Sequence, residues 1–429
     1  MLTTATIVAV CLLAPAADPA APAQRIQVGK LVRQLGSDQL AQRDAAQRSL
    51  IEMGPAILDL LDEVPPQSSA EVNARLTRVR ETLTAQAVEA ATAPSRVTLD
   101  VRDAPLSEVL REIEKQTGNR IVDKRSDFGQ KAEDVPITAA LEGAPYWQAL
   151  DAVLDQAGMT TYEYSGEKNA TAVIGRQQGM PPRSKAATYT GVFRIEATQV
   201  EAIRDLRNPA NHVTRLHLEV GWEPRLAPIA LAQPLATVEL VAADETKLPV
   251  AGESGTIEAD VNSASVVAEL PIALEPVARS VEKIAALRGE LEVLLPGRVE
   301  TFQFRDLAKI KAQGNVESKK ASATVIVQSV DKNGDVYDVR MVLRFDQAAN
   351  ALESHRGWVL GNDAYLLDPN GARVENAGYE TIRQTANEVG FAYKFVVDGD
   401  LADYVFCYRT PAAIVQKKIP YELRDIPLP

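Results

Sequence analysis

The sequence predicts a multi-domain α+β protein: an N-terminal helical hairpin, a small duplicated βαβ domain, then two antiparallel β-sandwich-like domains. Three observations predict it. Apolar residues recur three and four apart up to about residue 92, a strand–helix–strand pattern occurs twice in register, and short alternating runs fill the second half. At 429 residues the length suits roughly two to four domains. A composition of 46% hydrophobic and 24% charged residues is ordinary for globular chains that bury real cores. The formal net charge of −12 speaks against binding nucleic acid through its phosphates, which takes a basic face. Lys319-Lys320 and Lys417-Lys418 are too short to supply one, so no nucleic-acid partner is expected.

The first 23 residues have the grammar of a secretory signal peptide. An apolar core from Ala5 to Leu13 is followed by small residues ending in Ala21-Pro22-Ala23. The core is far shorter than the roughly 20 residues of a membrane span, so no transmembrane span is expected. Lys and Arg do not precede it, and Val10 stands where a lipidated Cys11 would need a small residue. The expectation is an exported protein, periplasmic or associated with the cell envelope. Cys407 is then the one cysteine of the mature chain, and its apolar surroundings "DYVFCYR" read as core.

Residues 24–95 read as helical. Ser37 or Asp38 caps a helix with Leu40, Ala46 and Leu50 on one side, and Gly54-Pro55 ends it and starts the next. Ile57, Leu58, Leu60 and Leu61 form a second stripe, and Val72, Leu76, Val79 and Leu83 a third. Arg43, Ala46, Leu50, Gly54, Ile57 and Leu61 are spaced as in a HEAT repeat, which this hairpin resembles.

Residues 96–176 hold the duplication. "APLSEVLREIEKQTG" starts at Ala104 and "APYWQALDAVLDQAG" at Ala144, with Leu110/Leu150, Ile113/Val153, Gln116/Gln156 and Gly118/Gly158 in register. Each copy reads as strand, helix, strand, with the helix covering one face of a small sheet. The pattern from Leu106 to Gly118 and the later one from Ala149 to Gly158 resemble the secretin and TonB N-terminal short domain, STN. That resemblance implies a periplasmic, non-catalytic module that contacts other envelope proteins. No segment downstream reads as a pore-forming secretin region or an outer-membrane barrel.

After the break "RQQGMPPRSK", two antiparallel sandwiches are expected, over residues 187–311 and 312–429. "LRGELEVLLPGRVETFQF" reads as a hairpin around Pro296-Gly297, and the Pro-rich ending "KKIPYELRDIPLP" as an edge strand and tail. These strand-rich segments and the closing "IPLP" resemble modular bacterial exported proteins.

The sequence assigns no catalytic residue, cofactor or metal. Asp331, Asn333 and Asp335 begin like a calcium loop, but Val336 and Val342 stand at its Gly and Glu positions, so the stretch reads as a hairpin turn on Asn333-Gly334. His212, His217 and His355 are isolated, and no nucleophile elbow or phosphate-binding glycine string is present. Trp147, Trp222 and Trp358 read as core or boundary. The function expected is that of a non-catalytic envelope adaptor or scaffold working through the STN-like module, with an unidentified envelope protein as partner. The alternative is a carbohydrate or cell-wall binding protein that uses the sandwiches, with Trp222 and Trp358 exposed. A hydrolase with dispersed carboxylates ranks third.

Overall fold

A computed structural model describes residues 20–65, 67–183, 187–208, 212–252, 254–261, 265–310, 314–346, 351–352, 357–397 and 399–429. Residues 1–19 of the expected leader, with Cys11, lie outside the described residues, as do His355 and the expected boundary at 312. The chain is α+β, with helices first and a sheet-rich remainder, and it divides into two compact units at Ala87/Val88.

The first unit is all helical: α1 (Ala20–Gln34), α2 (Leu40–Glu52), α3 (Leu58–Asp62) and most of α4 (Ala70–Thr92). Its core is Leu35, Ala46, Leu50, Ile57, Leu61, Val72, Leu76, Val79 and Leu83, as the three- and four-residue spacing requires. Gly54 takes φ +77° and Pro55 opens a short 3-10 turn, so this dipeptide breaks the helix as expected. Leu40 does not join the core. It opens α2 and is 57% exposed, because the first helical residue precedes the buried face.

The second unit begins with the duplicated module: β1 (Arg96–Pro105), α5 (Leu106–Thr117), β2 (Arg120–Asp123), β3 (Pro136–Pro145), α6 (Tyr146–Ala157), β4 (Met159–Tyr162) and β5 (Ala170–Gly175). The first strands of the two copies pair with each other, while their second strands flank β5 in the order β2-β5-β4. Each helix therefore does not cover a sheet of its own copy. The duplication is a pseudo-twofold. The Gly143 amide donates to Thr98 Oγ1, and the Asp103 amide donates to Thr138 Oγ1. The Leu106 amide donates to the Val135 carbonyl, and the Tyr146 amide to the Ser95 carbonyl. Gly118 and Gly158 end the helices at φ +70° and +65°, a left-handed region that glycine enters without a Cβ clash.

Among the described residues the remainder forms three antiparallel sheets. One has the order β13-β8-β7-β6, from β6 (Ala187–Thr190), β7 (Phe193–Arg204), β8 (His212–Trp222) and β13 (Val267–Leu274). A second has the order β15-β16-β17-β21-β20, from β15 (Val316–Lys320), β16 (Ala323–Asn333), β17 (Val336–Phe345), β20 (Gly378–Gln384) and β21 (Glu388–Val396). Between them runs a ribbon of two long strands, β14 (Lys283–Phe304) and β22 (Val405–Pro427), paired from Lys283/Pro427 to Phe304/Phe406. At about 3.3 Å per residue each strand spans about 70 Å. Short strands extend it: β9 (Ala230–Pro234), β10 (Glu239–Ala242), β11 (Lys247–Leu248) and β12 (Thr256–Ala259) at one end, β18 (Asp363–Leu367) and β19 (Arg373–Glu375) at the other.

One ribbon thus roofs two cores. Leu287, Leu291, Val293 and Leu295 face the core of the first sheet, while Phe302 and Phe304 face that of the second. From Leu287 to Leu295 the inward residues are odd-numbered and after Pro296 they are even-numbered, because Gly297 is left unpaired as a bulge. Ala412 does the same on β22, switching Phe406 and Tyr408 to Ile419, Tyr421 and Leu423. An inserted residue flips side-chain parity, so the same ribbon face stays buried. Pro296-Gly297 is therefore a bulge and not a hairpin turn, since both residue types suit a bulge as well as a turn. The C-terminal stretch returns to the first core, and beyond Ala413 it pairs only with β14, so its prolines sit on an edge. The Asn333 hairpin exists with its turn one residue later, on Gly334-Asp335, where Gly334 takes φ +63°.

Gly289 faces Tyr421 across the ribbon, and a Cβ there would lie 2.5 Å from the ring. The Tyr421 hydroxyl donates to buried Gln233 Oε1 at 2.9 Å, so the ring cannot swing aside freely. Gly289→Ala is expected to lose about 1–3 kcal/mol by overpacking, read as a lower midpoint in chemical denaturation.

Candidate functional site

The module's strand edges come first, because an open edge is where a partner strand adds. Thr98 offers the outer edge of β1 an N–H and a C=O. Gln116 takes both, its Oε1 accepting at 2.8 Å and its Nε2 donating at 2.9 Å. Gln156 does the same for Thr138 on β3, at 2.8 and 3.2 Å. On β2 the Ile121 amide donates to Glu114 Oε1 at 2.6 Å. The glutamines that mark the repeat thus each satisfy the backbone of one edge residue, Thr98 on β1 and Thr138 on β3, as a neighbouring strand would.

The module is also joined to the first sheet through a buried polar seam. Trp147, in the first turn of α6, is 2% exposed and donates its indole N–H to the Val192 carbonyl at 3.1 Å. The Arg194 guanidinium lies 4.5 Å from the centroid of that ring. Arg194 is fully buried and donates to Asp151 Oδ1 at 3.0 Å, one turn after Trp147 on α6, and to Glu219 Oε1 at 2.6 Å. Tyr189 donates to the other Asp151 oxygen at 2.9 Å, and Arg183, from the Pro-rich break, reaches Glu219 at 3.1 Å. A second knot closes on Glu223, fully buried at the end of β8. It accepts from the amide and hydroxyl of Ser95, from Asn119 Nδ2 and from Arg225 Nε. In the first copy, Ser107 and Arg111 occupy the positions of Trp147 and Asp151 and are exposed. Only the second helix is built to grip its own chain.

Burial drives the seam's titration. Desolvation pushes the Glu219 carboxyl up, but Arg194 and Arg183 outweigh it and hold the group below the usual carboxylate range. Glu196 lies beside them with burial as its dominant influence and is pushed up. Two arginines facing Asp151, Glu196 and Glu219 leave one carboxylate in excess, and Glu196 Oε2 has no hydrogen-bond partner. The arrangement is a fastening. It offers no cleft in which two carboxylates converge on an open space.

The open feature of the module is aromatic. Phe128 follows β2, while Tyr162 and Tyr164 lie at and beyond the end of β4. Phe128 meets Tyr162 edge to face at 5.0 Å, and Tyr162 meets Tyr164 at 6.0 Å. Phe128 and Tyr164 are 50% and 56% exposed, in a chain with only 5% aromatic residues. The members of this trio are 36 residues apart from first to last and share no spacing, so the local sequence signal for it is the dense "TTYEY".

The other predicted positions are accounted for. Trp222 is 2% exposed and packed in the first core, while Trp358 is half-buried with its N–H donating to the Ala351 carbonyl. Cys407 is fully buried, and burial raises its thiol. His217 meets Glu269 and Glu201 on one sheet face, and His212 is exposed at the start of β8. Among the described residues no three His, Cys, Asp or Glu are grouped to hold a metal, and no helix is long and apolar enough to cross a membrane.

Comparison with known proteins adds no relative. No protein family matches the chain, and neither does any curated protein or solved structure.

Proposed function

We propose that this chain is a non-catalytic, exported adaptor of the cell envelope, whose STN-like module presents the Phe128–Tyr162–Tyr164 platform to a protein partner. The exposed trio carries this reading. Tyrosines and phenylalanines in contact are what binding hot spots are made of, because they bury large rigid areas at little entropic cost. The glutamine caps at Thr98 and Thr138 favour side-chain docking over strand addition at those positions of β1 and β3. Lys124 and Asp127 beside Phe128, and Glu163 beside Tyr164, give the platform the mixed polar rim of a protein interface.

Excising residues 97–175 would leave Arg194 buried without Asp151 and Trp147, so the decisive experiment uses point variants. Phe128→Ser/Tyr164→Ser removes the exposed rings, which are outside the cores. The expected result is an unchanged thermal midpoint with loss of a cross-linked partner from envelope fractions. Retention of that partner at wild-type yield would overturn the reading. Loss of glycan binding alone would transfer the platform to a sugar.

A further inference from the structure

We propose that the open end of the first β-sandwich is a binding site for an amphiphilic anion, a carboxylate carried on an apolar chain or ring. A cavity of about 390 Å³ lies there, between the ends of β7 and β8 and the Pro276–Val281 segment that joins β13 to β14. Leu428 and Pro429 close its remaining wall. The volume falls within the range of about 300–1,000 Å³ typical of small-molecule sites.

The strand register builds the two halves of the site. Ile203 stands opposite Val213, and Arg204 stands opposite His212 one residue further out. Val277, Val281 and Leu428 pack at the margin of the first core, so the apolar wall is continuous with it. Ile203 is 56% exposed, an apolar side chain left in water at a concave surface. Arg204 and Arg279 both line the cavity, and among the described residues neither has a carboxylate within ion-pair distance. Each guanidinium can take a carboxylate with two parallel N–H donors, while an attached hydrocarbon displaces water from the wall. Both features are needed. A small hydrophilic anion gains nothing from the wall, and a neutral hydrocarbon leaves the guanidiniums unpaired.

The test is titration calorimetry of the whole chain with decanoate below its micelle concentration, beside decanol, acetate and a decyl trimethylammonium salt. Saturable binding of decanoate is expected, with decanol and acetate about tenfold weaker or more and the cation not bound. Arg204→Ala/Arg279→Ala is expected to weaken decanoate to the level of decanol and leave decanol unchanged. Ile203→Asp weakens both. All three residues are at the surface, and equal thermal midpoints confirm that the variants fold. Absence of saturable decanoate binding, equal affinity for decanoate and decanol, or an unaffected double variant would each overturn the proposal.

Discussion

Trp147→Ala is expected to cost about 3–5 kcal/mol and to loosen the module from the first sheet. Three losses combine at this position. The buried indole area becomes a cavity, the Val192 carbonyl loses the indole N–H at 3.1 Å, and Arg194 loses the ring face 4.5 Å away. Gly221 is part of the same fit, since a Cβ there would already touch Trp147 at 3.4 Å. Trp147→Phe separates the contributions. It restores most of the area but not the donor, so it should retain most of the stability and lose about 1–3 kcal/mol, the cost of an unsatisfied buried carbonyl. Denaturant unfolding followed by amide exchange in β7 and α6 reads both. Faster exchange confined to the module would show that the seam holds two parts together. A loss below about 1 kcal/mol for the alanine variant would remove Trp147 as the anchor.

Arg194→Met should be about as severe, at about 3–5 kcal/mol, for an electrostatic reason. The methionine fills much of the space but leaves Asp151 with the Tyr189 hydroxyl in place of a cation and Glu219 with Arg183 alone. The pH dependence identifies the cause. In the native chain Glu219 is depressed below its unfolded value, so its stabilisation is present above the unfolded pKa and is lost as the pH falls through the folded one. Without Arg194 the Glu219 carboxyl shifts upward and becomes easier to protonate in the folded state. The deficit of the variant is therefore largest near neutral pH and narrows on acidification. A deficit that stays constant down to pH values where carboxylates protonate would mean that packing, and not charge, is what Arg194 supplies. Glu196 acts with the opposite sign, because burial raises it and the folded state gains when it is protonated.

The two substitutions bear on function through geometry. The edge-capping glutamines and the seam make the module a rigid mount, and the aromatic trio is what it leaves open. On the proposed adaptor reading, a rigid mount would spare a partner the entropic cost of ordering the platform. The same seam explains why a deletion cannot isolate the module's role, since the β-rich half has Arg194 and Glu223 built to receive it.

By itself the sequence determined the local features of this protein. Helical stripes, the strand–helix–strand duplication, the glycine stops and the alternating runs were all legible, because each depends on residues a few positions apart. The repeat also displayed Gln116 and Gln156, although their use as edge caps needed Thr98 and Thr138 brought beside them, 18 residues away in each case. Only the tertiary structure decided the rest. Pro296-Gly297 is compatible with a turn or a bulge, and pairing with a strand more than a hundred residues later selects the bulge. Asp151 and Arg194 look like ordinary surface charges until α6 is laid against β7. The aromatic trio and the Arg204–Arg279 cavity are likewise assembled from distant segments. Contacts that close over long chain separations leave no periodicity to read, because nothing in the local backbone requires them.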